Sequence, residues 1–184
     1  MIKINKGTAP QILLKNEAAW TSALLTKIAK GQTLTETELT RYKHHDIKQA
    51  LVEETHGKCA YCESKFGHIS YGDVEHVVAK SRDPAGRFKW TNLTIACDRC
   101  NTNKGDAEGF VDPNSDDPKD FFVIFGAMVF PRPDNEKAVI TERGLRLNRS
   151  ELVERGKERL SMLHSLAIIA SNAQTNGLFC NFCG

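Results

Sequence analysis

Apolar positions between residues 10 and 29 (Ile12, Leu13, Leu14, Trp20, Leu24, Leu25 and Ile28) recur close to every 3.6 residues and predict a helix that Gly31 closes. Thr35 and Glu38 have the spacing of a capping box, and Leu39, Tyr42, Ile47, Ala50 and Leu51 extend one apolar face, so a second helix is expected as far as Gly57. His44 and His45 fall within it. Neighbours on a helix diverge by about 100°, so this pair is a poor joint metal site and is read as a solvated face. From Cys59 to Asp106 the periodicity gives way to short extended pieces, turn residues and metal-ligand types. Beyond a turn-rich stretch from Asp112 to Pro118, the apolar runs Phe121 to Phe125 and Ala127 to Phe130 predict a hairpin broken at Gly126. Asn148 with Glu151 has the spacing to begin a last helix, whose face is Leu152, Val153, Leu160, Leu163, Leu166, Ala167 and Ile169. The expected organisation is α+β: a helical region over 1–57, a chemical centre over 58–110, and a hairpin plus helix over 111–184.

Composition changes this picture little. With 184 residues, 40% hydrophobic and 26% charged, the chain can bury a core and lacks the signature of disorder. Its apolar runs fall well short of the roughly 20 residues that span a bilayer, so no membrane association is expected. The start lacks the pattern of a secretory signal, and a cytoplasmic location is expected. A net charge of +2 does not by itself demand a polyanionic partner. Locally, Lys80, Arg82, Arg87, Lys89, Arg99 and Lys104 stand against only Asp83 and Asp98, with Phe88 and Trp90 interleaved. That stretch suits a phosphate backbone, or a merely solvated face.

Six cysteines in a reducing compartment argue against disulfides, and their spacing then carries the information. They form three Cys-x-x-Cys pairs: Cys59/Cys62, Cys97/Cys100 and Cys180/Cys183. Two such turns present four thiolates to one tetrahedral zinc, and the interval from Cys62 to Cys97 is long enough to fold back between them. A zinc ion held by Cys59, Cys62, Cys97 and Cys100 has no open position, so it is structural and the catalytic groups must lie elsewhere. Cys180 and Cys183 are left as a half-site completed by another chain, a redox pair, part of a longer motif, or a frayed tail. A homo-oligomer therefore stays open.

Between the knuckles, Asp73-Val-Glu75-His76-Val-Val reads as a strand with an acid and a histidine on opposite sides. Trp90-Thr-Asn92-Leu follows, and then Cys97-Asp-Arg-Cys100-Asn101-Thr-Asn-Lys104, where the second knuckle launches a helix. In this order the fragments resemble the HNH, or ββα-metal, nuclease signature from about Cys59 to Lys104. The resemblance implies a ββα-metal core in which His76 is the general base. It further implies that Glu75 and Asn101 hold a catalytic divalent ion, and that Asn92 orients the loop. Glu75 stands where many members have Asp, and Asn101 where many have His, which leaves open whether Asp73 helps.

The chemistry agrees with this resemblance. A phosphodiester resists hydroxide because it is already anionic, so a catalyst must make a nucleophile and neutralise growing charge. An imidazole with an ordinary pKa near 6.5 accepts a proton near neutrality. Carboxylate and amide oxygens suit Mg²⁺ or Mn²⁺. Lys80, Arg99 and Lys104 are candidates to hold nucleic-acid phosphates, with DNA favoured over RNA. Lys58-Cys-Ala-Tyr-Cys62-Glu, Glu75-His-Val-Val-Ala-Lys80-Ser, Val111-Asp-Pro and Leu145-Arg-Leu-Asn-Arg-Ser-Glu-Leu152 further resemble the PtuB family, the HNH components of Septu and retron-associated antiphage systems. That likeness implies a PtuA-like ATPase partner. The rival class is a noncatalytic zinc-ribbon module that binds nucleic acid or protein, and a thiol-disulfide protein is a weaker third.

Overall fold

Pro10, whose missing N–H costs nothing at a helix start, precedes α1 (Gln11–Ala29) in the computed structural model, which describes residues 1–66 and 71–175. The chain leaves α1 through Gly31 at φ 62°. The Thr35/Glu38 capping box forms and opens α2 (Glu36–Thr40), but the expected long helix does not follow. The Thr40 hydroxyl donates to Glu36 O, a 3-10 turn covers Arg41–Lys43, and His44 swings to ψ 141°. The His44 ring Nδ1 then accepts from Asp46 N and caps a separate α3 (His45–Glu54). His44 is therefore a cap rather than part of a helix face.

The centre is a two-stranded antiparallel ribbon, β1 (Asp73–His76) and β2 (Leu93–Ala96), followed by α4 (Asp98–Lys104). Glu75 pairs with Thr94 and His76 with Leu93. Alternation puts Val74, His76, Leu93 and Ile95 on one face and Asp73, Glu75, Thr94 and Ala96 on the other. The first face joins Leu13, Leu24, Tyr42, Ile47 and Leu51 in one core cluster, so the N-terminal helices and the ribbon share a core. Phe88 and Trp90 belong to this core, and the Trp90 indole donates to Gly7 O. They are not aromatic platforms on a basic surface, because their apolar area is more stabilising under the helices than in water.

Beyond the ribbon, β3 (Phe122–Phe125) and β4 (Met128–Pro131) form the expected hairpin, turning at Gly126 with φ 59°. A helix not foreseen in the sequence, α5 (Glu136–Leu145), follows, with Asn135 capping it through Ala138 N. The final α6 (Ser150–Thr175) starts after Asn148, which does not serve as the expected cap. The Asn148 amide instead accepts from Val129 N at 2.8 Å and donates to Val129 O at 2.7 Å and Glu142 Oε1 at 2.9 Å. It thereby ties β4 to α5. Near its base α6 packs so closely on the hairpin turn that a Cβ at Gly156 would stand 2.8 Å from that of Ala127. Among the described residues, no helix is long and apolar enough to cross a membrane.

Replacing Asn148 with Ala should leave a strand N–H and carbonyl without partners, at a cost of about 1–3 kcal/mol. Urea denaturation should show this as a lower midpoint with an unchanged slope.

Candidate active site

Both cysteine turns are built by backbone geometry. In the first, Glu63 N donates to Cys59 O and Cys59 N to Ser64 O, both at 2.9 Å, with Glu63 in the left-handed region. Ala60 N donates to Ile95 O at 3.0 Å and hooks this turn onto β2. In the second, Cys97 is the residue that opens α4, and Cys100 lies within the first turn. The four sulfurs all lie within 4.8 Å of one another, with Cys62 and Cys97 Sγ 3.8 Å apart. A tetrahedron with Zn–S bonds of about 2.3 Å has edges of about 3.8 Å, so these thiols could bind zinc. Their mutual hydrogen bonds already polarise them. Contacts from Cys100, Cys59 and Cys97, and from Ser64, hold the Cys62 thiol well below its ordinary pKa, while Cys100 is pushed far above.

Two arginines that the sequence did not single out complete this centre. Both terminal nitrogens of Arg149 stand 3.8 Å from Cys100 Sγ. Arg155, one and a half turns along α6, donates to Cys62 O at 2.8 Å and to Ser64 Oγ. Four thiolates around a divalent ion carry a net charge of −2, of which the single positive charge of Arg149 offsets half. In sequence Arg149 stood within the Leu145–Leu152 stretch that carries the family likeness but was given no role there, and Arg155, inside α6, looked like any basic residue on a solvated helix. Cys180 and Cys183 lie outside the described residues.

On the α4 side of the ribbon, Asn101 and Lys104 share a helix face because they are three residues apart. They form two rungs with β1. Asn101 Nδ2 is a long 3.4 Å from Asp73 Oδ2, and Lys104 Nζ is 2.9 Å from Glu75 Oε1. Lys104, only 2% exposed, also donates to His76 O at 2.9 Å. This corrects its expected role as a phosphate ligand: the helix face that presents Asn101 turns Lys104 inward. Burial raises the Glu75 pKa, against the opposing pull of the Lys104 ammonium. The oxygens of Asp73, Glu75 and Asn101 are the donor types that a hard divalent ion takes. At Glu75, such an ion would share the carboxylate with Lys104.

His76 faces the other way, as alternation required. Its Nε2 lies 2.9 Å from Arg87 O, and a carbonyl only accepts, so Nε2 carries the proton and Nδ1 the free lone pair. Nδ1 has no hydrogen-bond partner among the described residues. Burial lowers the His76 pKa to about 4, so the ring is neutral at pH 7. Asn92, also buried, binds the loop between the strands at several points. Its Oδ1 accepts from Val78 N at 2.8 Å, and its Nδ2 donates to Val78 O and Gly86 O. A side chain at Gly86 would collide with Asp83 and crowd this amide. Arg99 is exposed at the start of α4, 3.5 Å from Glu151, and Lys80 reaches over the Tyr42 ring.

This combination of knuckles, ribbon and helix defines the class of protein. Residues 59–107 match the HNH endonuclease family, whose nucleases are metal-dependent. Over 130 residues the chain is 31% identical to the Septu protein PtuB of Bacillus thuringiensis, covering 68% of this chain and 47% of that protein. Over 117 residues it is 28% identical to the Septu protein PtuB of Bacillus mycoides (strain KBAB4), covering 55% of this chain and 40% of that protein. The chain thus spans less than half the length of these relatives. Together the matches place an HNH-type domain at residues 59–107 in a chain similar to the Septu proteins PtuB.

The purified protein should contain about one tightly held zinc per chain by elemental analysis. Cys97→Ser should lower that content and the melting temperature together, because binding of a structural ion is coupled to folding.

Proposed function

We propose that the chain is a metal-dependent endonuclease that hydrolyses phosphodiester bonds, in DNA rather than RNA, as the effector subunit of a Septu-type antiphage system. The observation that carries this reading is His76: a neutral imidazole with its proton fixed on Nε2, adjacent in β1 to Glu75, whose carboxylate lies on the α4 side of the ribbon together with Asp73, the carboxylate opposite Asn101. The DNA preference is carried over from the resemblance. The zinc of the four cysteines is structural in this reading, because no coordination position is left for water.

His76 Nδ1 takes a proton from a water molecule as that oxygen attacks phosphorus; the bond from phosphorus to the 3′ oxygen breaks, and the leaving 3′ oxygen takes a proton from solvent to become a hydroxyl. Bound by Glu75 and Asn101 oxygens, with Asp73 beside them, Mg²⁺ or Mn²⁺ would supply charge stabilisation at the phosphate and leaving oxygen. Asn92 holds the loop whose Arg87 carbonyl fixes the His76 tautomer. Lys80 and Arg99, which keep access to solvent, are the remaining candidates for flanking phosphates. The products carry 5′-phosphate and 3′-hydroxyl ends.

The partner in this reading is a PtuA-like ATPase. Support comes from the outer part of α6, where Leu160, Met162, Leu163, Leu166, Ile168 and Ile169 are all exposed. No Asp, Glu, Lys or Arg occurs from Ser161 to Thr175. Such an uncharged apolar helix surface marks a protein contact. A second reading, a noncatalytic zinc module, is favoured by one observation: Glu75 and Lys104 satisfy each other without an added ion.

Plasmid DNA and total RNA incubated with Mg²⁺ or Mn²⁺, with and without the ATPase, separate the two readings. His76→Ala should keep its fold and zinc content while cutting at least about 10²- to 10⁴-fold more slowly, the contribution of a positioned base. Cleavage at the wild-type rate by folded His76→Ala would remove the base assignment. A wild-type protein that never cuts, even with the ATPase, would favour the binding module. The isolated chain should cut weakly and should retain the ATPase in a pull-down, whereas unregulated cutting without a stable complex would count against the partner.

A further inference from the structure

The hold on the His76 ring reaches outside the matched segment 59–107, to Tyr42 and Leu39. Tyr42, in the 3-10 turn Arg41–Lys43, meets it edge to face, with ring centroids 4.5 Å apart and planes at 79°. Both rings are nearly sealed, at 4% exposure for Tyr42 and 3% for His76. Arg87, whose carbonyl accepts from Nε2, is itself anchored to the N-terminal helices: its guanidinium donates to Leu39 O at 2.8 Å. The polypeptide between Leu39 and Tyr42 thus touches the histidine twice, directly through an aromatic ring and indirectly through the residue that fixes its tautomer.

Restricting the imidazole in this way has a chemical consequence. Rotation of the ring by 180° would put Cδ2–H where the Nδ1 lone pair stands and Cε1 where Nε2 stands, so the lone pair would be misdirected and Nε2 would lose the Arg87 carbonyl that fixes its proton. The single bond to Arg87 O can break and re-form, but the ring cannot turn over while Tyr42 fills the adjoining space. Tyr42 is itself braced by the shared core that contains Ile47, Leu51 and Leu93.

We propose that Tyr42 is a positioning residue for His76, and that the N-terminal helices complete the hydrolytic site, so that residues 59–107 alone do not constitute it. This rests on His76 acting as the base, but the tautomer of its ring can be measured without any cleavage. Misplacement of a reacting group by about 1 Å costs on the order of 10²-fold in rate, and loss of the Tyr42 wall should cost kcat about 10- to 100-fold.

The test uses the full zinc-loaded chain. Tyr42→Phe keeps the ring and should cleave within about threefold of wild type, a threshold far below the 10²-fold scale of misplacement. Tyr42→Leu keeps apolar volume but removes the planar wall, and should lower kcat with little change in KM. In long-range ¹H–¹⁵N spectra, His76 of the wild type should show one tautomer, protonated on Nε2. Tyr42→Leu should show averaged or inverted nitrogen shifts. Should that variant fail to fold, Arg87→Ala keeps the carbonyl that accepts from Nε2 but removes the guanidinium that ties it to Leu39 O, and by freeing that loop should loosen the tautomer and lower kcat in the same way. A folded Tyr42→Leu with the wild-type His76 spectrum and wild-type kcat would overturn the proposal, as would an Arg87→Ala protein unchanged in both. If His76→Ala cuts normally, the base reading falls, whereas the ring spectra still decide whether Tyr42 orients His76.

Discussion

Convergence of four thiols at one point is the constraint on which the rest of the molecule depends. A ribbon of four residue pairs and a seven-residue helix are too short to be stable alone. The first cysteine turn is hooked to β2 through Ala60 and Ile95, and β2 runs directly into Cys97, which opens α4. Gathering Cys59, Cys62, Cys97 and Cys100 therefore sets the position of β2 and the start of α4 in one step. Arg149 and Arg155 extend the same knot to α6, so the long helix is anchored at its base where it leaves the body.

Around that knot the ribbon separates two kinds of chemistry. The face toward α4 carries Asp73 and Glu75 opposite Asn101 and Lys104, and the other face carries His76 into the core shared with the N-terminal helices. Burying the Glu75–Lys104 pair requires stripping both charges of water, a cost that mutual attraction repays only with good geometry and further hydrogen bonds. Lys104 meets that condition through its second bond to His76 O. The pair is thus better understood as a clamp on β1 than as a source of net stability. It fixes the strand at the two residues on which the proposed hydrolysis depends.

Much of the site was legible because its determinants are local. The Cys-x-x-Cys spacing gives a knuckle, Glu75 beside His76 on a strand gives opposite faces, and Thr35 with Glu38 gives a cap. What escaped depended on tertiary context. The break at His44 follows from its own ring capping α3, which a continuous apolar face concealed. Asn148 looked like a helix cap but is used by β4, and α5 was obscured by Val139, Ile140, Thr141 and Gly144, all weak helix formers. The inward turn of Lys104 and the contact between Tyr42 and His76 join residues far apart in sequence. No spacing rule reports either.

The central claim is that two metal positions with different ligands and duties lie on either side of α4's first turn. Anomalous scattering from crystals of zinc-loaded protein soaked in Mn²⁺, recorded at wavelengths that distinguish the two elements, tests it most directly. The account predicts a zinc signal enclosed by the four cysteine sulfurs and a separate manganese signal between β1 and α4, within reach of Asn101 and the Glu75 or Asp73 carboxylate. Manganese absent from that face in well-ordered crystals, or zinc anywhere other than among the sulfurs, would contradict it.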